Sequence, residues 1–185
     1  MIVERKVPGS AHILAEHLRN GEIAIIPCDT IYGIVGADPE SEPLLRMVKG
    51  RAETKPFIRL VNEAMALRIA ADPLPPEVLA LWPGPLTAIV RTATENTCAI
   101  RIPADEFLQE VLSLLGRPIF STSVNVSGEP SLEDFEAMVM RFGQAVPLFI
   151  RGDAHQGTVP STIVDITKRP FSLVRQGAAD VSSLL

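Results

Sequence analysis

The sequence predicts an α/β fold, a mixed and largely buried sheet with helices packed against it. Three observations predict it. Short apolar, β-branched runs alternate with segments of helical spacing over most of the chain. In the middle and at the end, strand runs follow one another with no helix between them, which a purely parallel βαβ sheet does not allow. The 185 residues, 46% of them hydrophobic, suffice for one compact domain with a sizeable core.

In chain order, Ser10 stands where it can cap the helix "AHILAEHLRN", whose Ile13, Leu14 and Leu18 fit helical spacing and which Gly21 stops. "EIAII" follows as a buried strand. Pro27, Gly33 and Gly36 then argue against regular structure through "IPCDTIYGIVG". Ser41 can cap the helix "EPLLRMVK", with Gly50 placed to end it. "FIRLV" is a strand, "EAMALRIAA" and "PPEVLALW" are helices, and the second of these opens on prolines in its first turn. "LTAIVRT" and "CAIRI" are strands, with Trp82 ahead of them as core or corner packing. "DEFLQEVLSLL" is an amphipathic helix stopped by Gly116, and "PIFSTS" is a strand. Ser131 to Asp134 has the spacing of a capping box for a helix ending near Gly143. "PLFI", "TIVDI" and "FSLVR" close the chain as strands. The pattern leaves strand order open.

A formal net charge of −5 and a pI near 5.2 argue against a general nucleic-acid-binding surface, which needs a basic face. Cys28 and Cys98 form no C-x-x-C pair and no disulfide framework, which suits a reducing cytoplasm. The N-terminus carries charges where a secretory core is apolar, and no apolar run approaches the roughly 20 residues needed to span a bilayer. A cytoplasmic protein is expected. Asn125-Val126-Ser127 is then a chance glycosylation match. The three histidines, His12, His17 and His155, lack metal-ligand spacing and read as solvated surface. Phosphate-loop, dinucleotide and nucleophile-elbow signatures are missing.

Polar residues concentrate instead in loops at strand ends: "IPCDTIYGIVG", "STSVNVSG" and "TVPSTIVD". Such loops suit a polar ligand held in a crevice of an α/β sheet, although turn chemistry enriches the same residues. From Lys49 to Arg59, "KGRAETKPFIR" sets four cations against one carboxylate in an acidic chain. A helix C-terminus accounts for Lys49 through the dipole, but not for Arg51 and Lys55 beyond the glycine stop. A fan of cations fits a multiply charged anion such as a nucleotide triphosphate; a solvated charged loop is the plainer alternative. Arg101 lies in the apolar strand "CAIRIP", where a guanidinium needs either an internal carboxylate or an anionic ligand.

"IPCDTIYGIVG", "KGRAETKPF", "LWPGPLT", "AIRIP", "STSVNVSGEPS", "STIVDIT" and "LVRQG" occur in the order found in the YrdC family of L-threonylcarbamoyladenylate synthases. The resemblance runs from about Ala11 to Gly177. It implies one YrdC-like domain over residues 1–185, a twisted mixed sheet with helices around a concave cavity. It also implies that L-threonine, bicarbonate and ATP yield threonylcarbamoyl-AMP and pyrophosphate, from which separate machinery modifies a tRNA adenosine. The catalytic cations implied are Lys49, Arg51 and Lys55. With Thr97, Ser123, Ser131 and Arg175 they surround ATP, Mg²⁺ accompanying the phosphates. Thr30, Arg101, Ser121 and Ser161 contact threonine, and Asn125 shapes the same wall. No protein-bound metal is implied. Cys28, Ala52 and Pro160 stand where the family usually has Thr, Pro and Glu, and the extra C-terminal domain of longer relatives is not expected. An RNA-binding or ribosome-maturation module, and a sensor that kept the pocket but lost the reaction, are the competing functions.

Overall fold

The computed structural model describes residues 1–50, 52, 55–94, 96–152 and 159–185. Arg51 and His155 lie outside the described residues. The strands are β1 (Ile2–Glu4), β2 (Ile23–Ile26), β3 (Gly33–Ala37), β4 (Ile58–Leu60), β5 (Leu86–Arg91), β6 (Thr97–Arg101), β7 (Ile119–Ser123), β8 (Leu148–Arg151), β9 (Thr162–Asp165) and β10 (Ser172–Arg175). The helices are α1 (Ser10–Arg19), α2 (Glu42–Lys49), α3 (Glu63–Ile69), α4 (Pro76–Leu79), α5 (Glu106–Leu115) and α6 (Phe135–Phe142). No helix among the described residues is long and apolar enough to cross a membrane.

Two strands depart from expectation. β1 is a short edge strand paired only with β8. β3 runs straight through the glycines expected to interrupt it, because neither glycine is there to turn the chain. A Cβ on Gly36 would lie 2.4 Å from Ser41 Cβ, so the missing side chain lets the start of α2 pack directly on the strand.

Helix ends are capped at residues other than the serines that the sequence suggests. Asn62, Asp105 and Asp134 each accept a backbone N–H three residues on (2.9, 3.0 and 2.8 Å). Gly21, Gly50 and Gly116 take the expected positive φ. Ser10 is not a cap: Gly9 holds that position, and the Ser10 hydroxyl donates to the Arg5 carbonyl at 2.7 Å. The Ser131–Asp134 box does not form either, since α6 starts at Phe135 with Asp134 as its cap. Ser41 occupies the capping position of α2 but caps nothing. Its hydroxyl accepts from Ala37 N at 3.0 Å and faces the Gly21 and Glu22 carbonyls. α4 is a single turn, and the following Trp82 is buried with its indole N–H on the Leu86 carbonyl at 2.7 Å.

The strands form one mixed sheet in the order β1-β8-β2-β3-β7-β4-β6-β5-β9-β10. The pairs β1/β8, β8/β2, β4/β6 and β5/β9 are parallel, and the others are antiparallel. The half around β2 and β8 is buried on both faces. Ala24 and Ile26 share a core with Leu14 and Leu18 of α1 and Leu108 and Leu112 of α5. Ile23, Ile25 and Phe149 share another with Leu45 of α2 and Met138 and Phe142 of α6. In the half around β5 and β6, Ala88, Val90, Cys98, Ile100 and Val164 point to one face and join the core with Met65, Ala66 and Val78. Among the described residues no helix covers the other face of these strands. It lines a cleft.

Candidate active site

Side chains alternate across a strand, so the register fixes which residues share the uncovered face. Ser121 pairs with Val35 on one flank and with Ile58 on the other, Ile58 pairs with Ala99, and Ala99 pairs with Ile89. Two residues further along β4 and β6, Leu60 faces Arg101. Ile58, Leu60, Ile89, Ala99, Arg101, Ser121, Ser123 and Ile163 thus form the floor of a cleft of about 690 Å³. Three loops wall it: Pro27 to Tyr32 after β2, Lys55 and Pro56 before β4, and Pro130 to Glu133 before α6. Pro160, Ser161, Val174 and Arg175 close the far side.

Arg101 is only 3% exposed. Its Nη2 donates to Asp29 Oδ1 at 2.8 Å, and Asp29 Oδ2 accepts the Ala104 N–H at 3.0 Å. Its Nη1 is buried and makes no hydrogen bond among the described residues. Of the two partners that the sequence left open, the structure supplies the internal carboxylate, which holds half of the fork and leaves the other half without a partner among the described residues. A buried guanidinium nitrogen without a partner is costly, so an anion arriving in the cleft recovers that cost.

Arg175 reaches into the same cleft from β10. Its Nε and Nη2 donate to the Ser161 carbonyl at 3.2 and 2.8 Å, and Nη2 also approaches Ser161 Oγ at 3.3 Å. The Ser161 hydroxyl in turn meets Thr87 Oγ1 at 2.8 Å. Burial, and then the charge of Arg101, push the Arg175 guanidinium below its ordinary pKa. Two cations that disfavour each other across a cleft form a site for an anion. Cys28 lines the cleft as an uncharged thiol, pushed up to about 12 by burial against the opposing pull of Arg101.

The basic stretch divides. Lys55 lines the cleft, and its loop is held by Arg46, whose Nη1 donates to the carbonyls of Ala52 (2.8 Å) and Lys55 (3.2 Å). Lys49 is 1% exposed and lies outside the lining. Its ammonium donates to the Ser123 carbonyl at 2.6 Å and to Asn125 Oδ1, and Asn125 Oδ1 also accepts from Ser123 Oγ at 2.7 Å. Lys49 thus stands behind the wall and fixes the loop after β7, while Asn125 ties that loop to the Glu129 carbonyl.

The structure brings Thr30, Lys55, Arg101, Ser121, Ser123, Ser131, Ser161 and Arg175 into one cleft. Ser131 Oγ is buried there and has no hydrogen bond among the described residues. Thr97 is exposed at the start of β6, on the face of Ala99 and Arg101 but beyond the lining. Asp29 is a site residue absent from the sequence expectations. A signal for it exists, because a buried arginine needs a carboxylate and "PCDT" supplies one. Of the histidines expected at the surface, His12 is exposed, whereas His17 is half-buried against Glu22. No three His, Cys, Asp or Glu side chains among the described residues converge as metal ligands.

Residues 16–177 match the family model Sua5_yciO_yrdC, described as telomere recombination. A threonylcarbamoyl-AMP synthase of Pyrococcus abyssi is 30% identical over 98% of this chain, which spans 58% of that protein's length. A threonylcarbamoyl-AMP synthase of Vibrio vulnificus is 27% identical over 86% of this chain and 94% of its own. The crystal structure of P. abyssi Sua5 complexed with L-threonine superposes with a TM-score of 0.88 at 28% identity, over 100% of this chain and 59% of that one.

Proposed function

The chain belongs to the Sua5/YciO/YrdC family, and from that membership we propose that it is an L-threonylcarbamoyladenylate synthase, a nucleotidyltransferase of the cytoplasm built on one domain. The observation that carries the reading is the Arg101 guanidinium, with Nη2 spent on Asp29 and Nη1 free for an anion. The carboxylate of L-threonine takes that position. Thr30, Ser121 and Ser161 supply hydroxyls around the rest of the amino acid. ATP occupies the cleft toward Lys55, Ser123 and Ser131, with Arg175 facing both substrates.

The neutral amino group of threonine adds to carbon dioxide drawn from bicarbonate and forms a carbamate. A carbamate oxygen attacks the α-phosphorus of ATP, the α–β bridge breaks, and pyrophosphate leaves. Lys55 and Arg175 hold charge that moves onto the leaving phosphates, so the protein contributes position and electrostatics more than proton transfer. Lys49 and Asn125 support the wall of the cleft. Arg51 falls in the same basic loop and is assigned to phosphate on its place in the sequence alone. A Mg²⁺ travelling with ATP would spread the phosphate charge beside Lys55, Ser123 and Ser131, and no step is assigned to it. The product passes to tRNA-modifying machinery.

Pyrophosphate release is the test. It should require threonine, bicarbonate and ATP together. Nucleotide and threonine binding without release would make the protein a sensor, and salt-dependent RNA affinity without turnover would favour the RNA-binding alternative.

A further inference from the structure

Arg46 lies in the last turn of α2 and outside the lining of the cleft. Its guanidinium is nevertheless engaged on three sides. Nε and Nη2 both donate to Glu42 Oε1, one turn back on the same helix, at 3.0 and 2.5 Å. Nη1 donates to the carbonyls of Ala52 and Lys55 at 2.8 and 3.2 Å. The guanidinium carbon lies 5.1 Å from the centre of the buried Phe57 ring. The Lys55 N–H also donates to the Ala52 carbonyl at 3.1 Å, so the two residues that Arg46 holds are joined to each other. A Glu–Arg pair four residues apart is common on helices and accounts for the Glu42 contact. It does not account for the donors spent on the loop, which clasp the stretch carrying Lys55 to α2.

We infer that Arg46 is a positioning residue for the phosphate site, fixing the backbone from which Lys55 enters the cleft and so setting ATP affinity without touching the nucleotide; the inference rests on the ATP reading above. A lysine ammonium rides on a flexible stem, so it is only as well placed as the backbone that carries it. Ordering that backbone before ATP arrives lowers the entropy lost on binding. The carbonyl oxygens of Ala52 and Lys55, once held on Arg46, are also not left to face phosphate oxygens. Glu42 and Phe57 act one step further out, since they orient the guanidinium that holds the loop.

Arg46 is itself a cation, so calorimetric affinities for ATP and threonine must separate a clasp from a nearby charge. Arg46→Lys keeps the charge but cannot hold Glu42 and two carbonyls at once. It should weaken ATP about tenfold while threonine affinity stays within about twofold. Glu42→Ala removes a carboxylate, which by charge alone would tighten ATP binding. With the clasp loosened it should weaken ATP several-fold instead. In a Lys55→Ala background, Arg46→Lys should change ATP affinity by no more than about twofold, because the side chain it positions is gone. Melting temperatures establish that each variant is folded, and either folded single variant decides. ATP affinity unchanged in Arg46→Lys, tighter ATP binding in Glu42→Ala, or losses that multiply in the double variant would each overturn the clasp while leaving the ATP site intact. No ATP binding in the unaltered protein would remove the functional reading itself, and this inference with it.

Discussion

Arg59 and Arg101 lie on neighbouring parallel strands, one residue out of step. Arg59 pairs with Ile100 and Leu60 pairs with Arg101, so the two guanidiniums leave opposite faces of the sheet. Each has an aspartate, and each has a cysteine nearby. Arg59 pairs with Asp38 through its Nε, lies 5.6 Å from the centre of the Phe120 ring and stands near the Cys98 thiol. Arg101 pairs with Asp29 at 2.8 Å and lies near Cys28. The difference is on the far side of each guanidinium. Arg59 has its buried nitrogen set against its own carboxylate, whereas Arg101, which lines a cleft holding a second arginine, keeps a buried nitrogen without a partner among the described residues. An arginine in an apolar strand is therefore not by itself a site. What sets Arg101 apart is the capacity it has left once its own carboxylate is served.

Removing each arginine gives the largest contrast. Arg59→Met leaves Asp38 without its cation and should lower stability by about 3 kcal/mol, the low end for breaking a buried pair because the Arg59 side chain keeps 31% of its exposure. Threonine and ATP affinities of the folded variant should stay unchanged. A loss of ligand binding at unchanged melting temperature would break the comparison.

Arg101→Lys keeps the charge but loses the fork. Threonine affinity should fall by about 1.5–3 kcal/mol, the range for a hydrogen bond to a charged group, with ATP affinity near normal and only a small loss of stability. A large drop in melting temperature with threonine binding intact would make Arg101 a second Arg59 and displace the threonine site.

The two thiols sharpen the comparison by the smallest margin. Burial raises both pKa values; at Cys98 a hydrogen bond and the charge of Arg59 oppose it, while at Cys28 the charge of Arg101 opposes it and the thiol still reaches about 12. Cys98 should thus react with iodoacetamide at lower pH than Cys28, read by mass spectrometry of the labelled peptides. A thiol with a raised folded-state pKa contributes stability that is complete below its unfolded value of 9.0 and is lost as pH rises toward about 12. Thermal unfolding from about pH 9 to 12 should show a component of that sign which Cys28→Ser lacks.

Much of the architecture was determined by the sequence. Its hydrophobic periods located α1, α2, α5 and most strands, and Gly21, Gly50 and Gly116 marked helix ends because a positive φ is a local property of one residue. Its loop composition located the residues of the cleft, since hydroxyls and cations cluster at strand ends whatever the strand order is. Tertiary structure decided the rest. Glycines in β3 read as breakers until Ser41 is seen packed against Gly36. Ser10 and Ser131 read as caps until their surroundings are known, and only the fold places the Lys49 ammonium on Ser123 and Asn125. Arg59 and Arg101 are alike in sequence, each set among apolar neighbours, and only the register of β4 against β6 sends one to Asp38 and the other to the cleft. Local preferences depend on a residue and its near neighbours, but a side chain's last hydrogen bond depends on which distant segment the fold brings within about 3 Å of it.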